Sequence, residues 1–436
     1  MTRGNSGSRS IDVSLLHRGF RRLGRLLEPL LAPDAAAQRE RVERLIELAR
    51  QQRDALKALG SLTATQASEL QHLKLARSVE VAVTQERFTE LRAGVRRQAS
   101  ALARLARRAG IESEFEIAEQ RVLDRLDRLR RSGQPIVIGP WTGEIGFELL
   151  YWIPFVRWAV DKYQLPADRL TIVSRGGTAG WYSGIRAQYV DVFSLATPDE
   201  FRTRTAATKK QRFMGAYDRE LLRRVRGRLG GGAVSLLHPA MMYALFMPFW
   251  KRQAPPSRVL DHVTYRKVDT SKPAGLPDLP RDYVAVRFYF SDCFPDTPAN
   301  RDFVDRVVAT ISERADVVML NPGFRVDDHV DWGAGMRARI HTVDMSGRPE
   351  ENLAWQTAII AGARAFVGTY GGFSYLAPMC GVHAIAFYSD RTYFTYHLEL
   401  AQQAFAASGG GVLDAIDVAS VEHLSDVIGR RVPAGR

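Results

Sequence analysis

The chain has 436 residues, of which 45% are hydrophobic and 25% charged, and its formal net charge is +13. This is an ordinary globular composition, which excludes collagen-like and wholly disordered proteins. Two cysteines, Cys293 and Cys380, are too few for a disulfide framework or a four-cysteine zinc site.

The positive charge is concentrated near the N-terminus. Residues 1–132 contain 26 Lys and Arg against 17 Asp and Glu, which gives +9 of the total of +13. Such an excess favours anionic partners. No run of about 18 apolar residues occurs, and the N-terminus is studded with arginine, so we expect neither a transmembrane helix nor a cleaved secretory signal. The expected location is the cytoplasm, including the inner face of the cell membrane.

Residues 1–33 have the pattern of a basic amphipathic helix. Val13, Leu16, Phe20 and Leu23 recur at three- and four-residue steps, and arginines occupy the other face. Two interpretations remain open. The helix lies on an anionic membrane, or it docks on the protein itself with a solvated basic face.

Residues 34–132 are rich in Ala, Leu, Arg and Glu and lack proline after Pro33. Their apolar spacing predicts two or three long helices that form a helical hairpin or an oligomeric coiled coil. The region therefore predicts a homo-oligomer. Because it mixes acids with bases and lacks basic residues interleaved with aromatic ones, we expect no nucleic-acid partner.

The pattern changes at Gln134. Short apolar strands, glycine loops and helices alternate over residues 133–255, pause in a proline-punctuated linker at 256–281, and resume over 282–436. The predicted fold is α/β, with two doubly wound Rossmann-like domains that face a cleft behind a long helical N-terminal region. Ligands of such sheets bind at the carboxyl ends of the strands.

The first half offers candidates in two loops that follow strands. Gly143 and Gly146 would let backbone amides approach a ligand, and Glu144 between them is a candidate general base. Glu148 begins the next helix, where a carboxylate is favoured by the dipole. Arg175 follows the next strand and would bind a phosphate or an acidic sugar. The alternatives are a loop hydrogen bond, a helix-end carboxylate and a solvated arginine.

The second half opens with Arg287 inside an apolar strand. A guanidinium in such a position requires a partner, which is either a ligand such as a leaving diphosphate or a carboxylate of the protein. Tyr289 follows it. Asn321 and Gly323 end the next strand, where they would touch a base or ribose unless they simply form a turn.

The strongest motif is a glycine loop between a buried strand and a helix. Its backbone amides and hydroxyls would form an anion cradle at the helix N-terminus. The alternative is a tight turn. The loop residues assigned to substrate binding are Thr369, Tyr370, Gly371, Gly372, Phe373 and Ser374.

The run AWQTAIIAGARAFVGTYGGFSYLAPMCGVHAIAFY resembles the donor-binding half of GT-B glycosyltransferases, with the closest likeness to bacterial heptosyltransferase-like and fucosyltransferase-like members. Arg287 resembles the arginine that the latter use on the donor phosphate. The resemblance covers about 280–400, and more weakly 135–255 through the strand, glycine loop and helix pattern.

The resemblance implies transfer of a sugar from a nucleotide-sugar donor to a bacterial cell-surface glycan or a lipid-linked acceptor. It implies no metal and no cofactor, since the nucleotide sugar is a substrate. The donor would contact 287–291, 321–323 and 368–374, and the acceptor would face 139–148 and 175–177. The alternative is a non-enzymatic coiled-coil scaffold with a degenerate or sugar-binding α/β module.

Overall fold

The computed structural model describes residues 43–44, 46–47, 50–51, 114–206, 210–320, 330–333, 339–390, 395–421 and 423–431. The chain divides into two units, Met1–Val95 and Arg96–Arg436. The described residues of the first unit are helical. The predicted helix at 1–33 and most of the predicted helices at 34–132 lie outside the described residues. None of the helices that are described is long and apolar enough to cross a bilayer.

The first half of the second unit contains a four-stranded parallel sheet. Its strands are β1 (Ile136–Ile138), β2 (Leu170–Ser174), β3 (Gln188–Asp191) and β4 (Ser235–Leu237). Their spatial order is β3-β2-β1-β4, so the direction in which the chain adds strands reverses between β1 and β4.

Helices surround this sheet. They are α1 (Glu114–Arg131), α2 (Ile145–Phe147), α3 (Ile153–Tyr163), α4 (Pro198–Thr205), α5 (Ala216–Arg228), α6 (Pro239–Trp250) and α7 (Ser257–Leu260), with a π-helical segment at Glu148–Trp152.

Alternation along the strands explains why helices cover both faces. Ile136 and Ile138 belong to one buried cluster and Val137 to another, because successive side chains of a strand point to opposite faces. Ile172 and Val173 divide in the same way. The sheet is therefore apolar on both sides, as parallel sheets covered by helices are.

Helix α1 packs on this first half, although the predicted limits assigned it to the helical region 34–132. Leu126 is fully buried in the same cluster as the strands. The Glu119 carboxylate pairs with Arg258 and His262, and the Arg169 guanidinium donates to the Leu129 carbonyl at 3.2 Å. The helix is thus part of the α/β unit.

The second half contains a six-stranded parallel sheet in the order β12-β11-β10-β5-β7-β9. Counted along this half, the order is 3-2-1-4-5-6, which is that of dinucleotide-binding sheets. The strands are β5 (Tyr283–Arg287), β7 (Asp316–Met319), β9 (Ile340–Thr342), β10 (Ala365–Thr369), β11 (His383–Tyr388) and β12 (Leu413–Asp417). The predicted α/β fold with two doubly wound halves is confirmed.

Among the described residues of this half there are also five α-helices and a short two-stranded ribbon. The ribbon pairs β6 (Tyr289–Phe290) with β8 (Val330–Asp331) in antiparallel fashion. The helices are α8 (Pro298–Ser312), α9 (Asn352–Gly362), α10 (Gly372–Met379), α11 (Thr395–Ser408) and α12 (Leu424–Arg431).

The carboxyl ends of the two sheets face each other, and their loops touch. A Cβ atom on Gly372 would lie 2.9 Å from the Gly146 amide nitrogen, so this contact requires glycine. Nearby, the Gly176 carbonyl accepts hydrogen bonds from the amides of Leu353 at 2.6 Å and Ala354 at 3.2 Å. The loops predicted to bind ligands therefore lie side by side.

A substitution at Gly368 would test how tightly β5 and β10 are packed. A Cβ atom at this position would overlap the Arg287 carbonyl oxygen of the neighbouring strand. We expect Gly368→Ala to lower the free energy of unfolding by about 1–3 kcal/mol or more, as overpacking does. Thermal unfolding would measure the loss.

The matched control is Gly227→Ala in the exposed part of α5, where an added Cβ meets nothing within 4 Å. It should be neutral or stabilise the protein by up to about 1 kcal/mol. Equal midpoints for the wild type and Gly368→Ala would contradict the observed strand packing.

Candidate functional site

The two central strands of the second sheet, β5 and β10, flank the point where the strand order reverses. Arg287 is the last residue of β5 and pairs in register with Gly368, one residue before the end of β10. In open parallel sheets the crevice at such a point is where ligands bind. The topology thus brings Arg287 and the glycine loop after β10 to the same place.

Thr369 and Tyr289 join the two strand ends. The Tyr289 amide donates to Thr369 Oγ1 at 3.0 Å, and this hydroxyl in turn donates to the Tyr289 carbonyl at 2.8 Å. The Tyr289 hydroxyl lies against Gly371, where any Cβ atom would overlap it. The predicted site residues on the two loops are therefore in direct contact.

Arg287 is 9% exposed and has partners on three sides. Its Nη1 donates to Gln356 Oε1 at 2.5 Å, and its Nη2 lies 3.2 Å from Asp331 Oδ1. The guanidinium lies over the Phe373 ring at 4.1 Å, within the range of a cation–π interaction. Of the two predicted kinds of partner, the structure contains the carboxylate. A phosphate contact stays a prediction.

The N-terminus of α10 is closed by Ser374. Its hydroxyl accepts from the Gly371 amide at 3.0 Å and donates to the Gly371 carbonyl at 2.8 Å. The Tyr370 and Tyr375 hydroxyls are 2.6 Å apart. Ser374 is fully buried, so in this structure its hydroxyl shapes the turn. Asn321 and Gly323, assigned to the same site by the sequence, lie outside the described residues.

The glycine loop of the first half meets this turn. Gly146 contacts Gly372 and the Tyr375 ring, and Glu144 is exposed two residues earlier. Burial is the main reason why the pKa values of Tyr243 and Tyr375 are raised, and the nearby charge of Glu144 raises both further. The candidate base therefore lies on the loop that touches α10.

Arg175 lies beneath the same loop. It is 4% exposed, its Nη2 donates to the Gly143 carbonyl at 2.8 Å, and its guanidinium lies 5.3 Å from the centre of the Phe201 ring. The arginine is buried and holds the glycine loop, in contrast to the solvated arginine that we considered from the sequence.

Glu148 is fully buried and lies three residues after the start of the helical segment, whereas the sequence analysis placed it at the start of the helix. The helical segment begins at Ile145 and continues as a π-helix from Glu148, whose carboxylate contacts the last residue of β2. Its Oε1 accepts from Ser174 Oγ at 2.5 Å and from the Tyr182 hydroxyl at 2.8 Å. Burial raises the pKa of Glu148 to about 7, although Arg175 opposes the shift from 3.9 Å.

Three residues missed by the sequence analysis also shape the site. Asp331 and Gln356 bind Arg287, and Gln211 fastens a distant segment to the first glycine loop. Gln211 accepts from the Thr142 amide and donates to the Pro140 carbonyl, both at 2.9 Å. They have no local sequence signal, because each contact joins residues 44 or more positions apart.

No family model and no curated protein matches the chain. Among solved structures it is similar to E. coli ADP-heptose LPS heptosyltransferase II, at 12% identity over 69% of this chain and 96% of that one, with a TM-score of 0.36. A family 9 glycosyl transferase of Veillonella parvula gives 13% identity, 68% and 88% coverage and a TM-score of 0.36. The iron-containing dodecameric glycosyltransferase TibC of enterotoxigenic E. coli gives 14% identity, 58% coverage of both chains and a TM-score of 0.31. Values this low assign no reaction to the chain.

The raised pKa of Glu148 predicts a pH-dependent stability. A carboxyl group with a pKa of 4.5 when unfolded and about 7 when folded binds its proton more tightly in the folded state. The free energy of unfolding should therefore fall by about 3 kcal/mol as pH rises from 4.5 through 7. Urea unfolding across this range would measure the fall.

Glu148→Gln keeps a similar shape and cannot titrate, so its stability should depend less on pH over the same interval. The difference between the two proteins isolates Glu148 from other titrating groups. Parallel stability curves for the wild type and the variant would contradict the assignment.

Proposed function

We propose that the chain is a glycosyltransferase that takes its sugar from a nucleotide-sugar donor. The observation that carries this proposal is the meeting of Arg287 with the N-terminal end of α10 where the order of the second sheet reverses. A cation and a helix N-terminus together favour a diphosphate. The sequence resemblance to GT-B donor halves supports the same class of ligand.

Arg287 would stabilise the negative charge of the departing diphosphate. In the described structure its charge is balanced by Asp331, so the guanidinium is held in position before any ligand arrives. A fixed positive charge of this kind lowers the barrier because it needs no rearrangement when charge develops. Tyr289, Thr369 and Gly371 would hold the loop against which the phosphates rest.

Glu144 would be the general base. In the proposed reaction it takes the proton of an acceptor hydroxyl, whose oxygen bonds to the anomeric carbon of the sugar. The bond from that carbon to the diphosphate oxygen breaks, and the nucleoside diphosphate departs with the electron pair. Glu144 suits this role because it is exposed on the loop that touches α10.

The acceptor would be a bacterial cell-surface glycan or a lipid-linked acceptor, and it would face residues 139–148 and 175–177. Charge on the leaving group would be met by Arg287 and backbone amides without a metal ion. The loop 321–323 would contact the nucleoside.

Nucleoside diphosphates should raise the midpoint of thermal unfolding of the full chain, because a ligand that binds only the folded state stabilises it by mass action. At a concentration 100 times the Kd the gain is about 2.7 kcal/mol. Arg287→Ala should abolish the shift.

Arg364→Ala is the control, because Arg364 also forms an ion pair, with Asp282 at 3.0 Å. Arg364 immediately precedes β10 and so lies at the amino ends of the strands, away from the proposed donor site. That variant should keep the shift. If no nucleoside diphosphate raises the midpoint of the wild type, the donor site is refuted and the non-enzymatic scaffold is favoured.

Glu144→Gln should reduce kcat by roughly 100- to 10,000-fold, the usual contribution of a general base. The measurement is release of nucleoside diphosphate from the nucleotide sugar that gives the largest thermal shift. Glu313→Gln, an exposed glutamate after α8, is the control and should leave the rate unchanged. Donor binding should survive in both variants, and near-normal turnover by Glu144→Gln would remove Glu144 from the mechanism.

A further inference from the structure

The segment 210–215, between α4 and α5, presents an unusual aromatic side chain. Phe213 is 84% exposed, whereas the other exposed large apolar side chains of the described residues are Val412 at 62% and Ile117 at 39%. Arg212, which precedes it, and Lys210 are exposed cations, and the Lys210 ammonium group lies over the Phe147 ring at 4.4 Å. Burial of an aromatic ring lowers the free energy, so a ring held in water beside a cation is a candidate contact for a partner.

The segment is firmly anchored. Gln211, between the two cations, is 4% exposed and bonds to Thr142 and Pro140 in the first glycine loop. It also donates to Asp218 at 2.9 Å, and the same carboxylate accepts from the Gly215 amide at 2.7 Å. These hydrogen bonds hold the backbone next to Phe213 in place while its side chain remains exposed.

The surface around Phe213 is positively charged. Arg219 is exposed and donates to the Met214 carbonyl at 2.9 Å, which places a third cation beside the segment. The acids nearest in sequence are neutralised or covered: Asp218 is buried, and Glu220 pairs with Arg204 at 2.8 Å and with Arg224 at 2.5 Å.

We propose that this segment docks on an anionic lipid bilayer, with Phe213 inserted among the headgroups and Arg212 and Arg219 on their phosphates. Apolar insertion and electrostatic attraction act together in such surface binding. A protein partner fits less well, because the apolar core of a protein interface is broader than one ring surrounded by cations.

The docked segment would hold the first glycine loop near the membrane, because Gln211 joins the two. This part of the inference rests on the proposed function, since it would bring Glu144 to a lipid-linked acceptor. Membrane docking itself does not depend on transferase activity. A failure of the docking proposal can therefore be distinguished from a failure of the proposed function.

The test is co-sedimentation of the full chain with vesicles of phosphatidylcholine alone and of phosphatidylcholine mixed with phosphatidylglycerol. Binding should require the anionic lipid, and Phe213→Ser should weaken it about tenfold or more, the value expected for burial of a phenylalanine side chain. Val412→Ser removes another exposed apolar side chain and should bind like the wild type. All three proteins keep residues 1–33, so any lipid affinity of that region is common to them.

A fluorescent probe locates the contact directly. An environment-sensitive dye on the thiol introduced by Phe213→Cys should shift to shorter wavelength with anionic vesicles, whereas the dye on Val412→Cys should not. Unchanged vesicle binding by Phe213→Ser would overturn the proposal. This holds if the remaining binding is purely electrostatic, and it holds equally if light scattering shows that the variant has instead lost self-association.

Discussion

The loops at the facing ends of the two sheets contact each other through their main chains. Gly146 and Gly372 approach so closely that a side chain on Gly372 would collide with the opposite amide, and the Gly176 carbonyl binds the first amides of α9. Close main-chain contacts thus place the loop after β1 against the loop after β10, and the loop after β2 against the start of α9. One buried cluster runs through both halves and supports this contact from behind. The relative position of Glu144 and α10 therefore depends on glycine at these few positions.

The second constraint is a buried charge. Arg287 ends a strand whose residues are all buried, and a guanidinium there is stable only with partners. Asp331 and Gln356 supply them, and Phe373 covers the planar group. The first half contains a comparable arrangement, in which Arg175 supports the glycine loop and Glu148 is held on Ser174. Each half thus has an arginine at a strand end, but only Arg287 lies beside the N-terminus of a helix at the reversal of strand order.

The sequence predicted the parts of this structure that depend on local pattern. Strand β2 can be predicted from the sequence because a largely apolar run of five residues, all buried in the structure, precedes a glycine turn. Strands β3 and β12 are harder to predict because they lie at sheet edges, where partly exposed residues such as those of Gln188–Asp191 weaken the apolar pattern. Glu148 begins a π-helical segment whose five residues are all buried, and residue spacing does not reveal such a segment. Contacts of Gln211 and Asp331 with residues far along the chain appear only once the chain has folded.

A crystal structure of the full chain with a bound nucleoside diphosphate would test the central claim most directly. The account predicts that the two phosphates lie between the Arg287 guanidinium and the backbone amides at the start of α10, with the loop that carries Glu144 beside them. Phosphates bound elsewhere on the molecule, with Arg287 and Gly371–Ser374 out of contact, would contradict it.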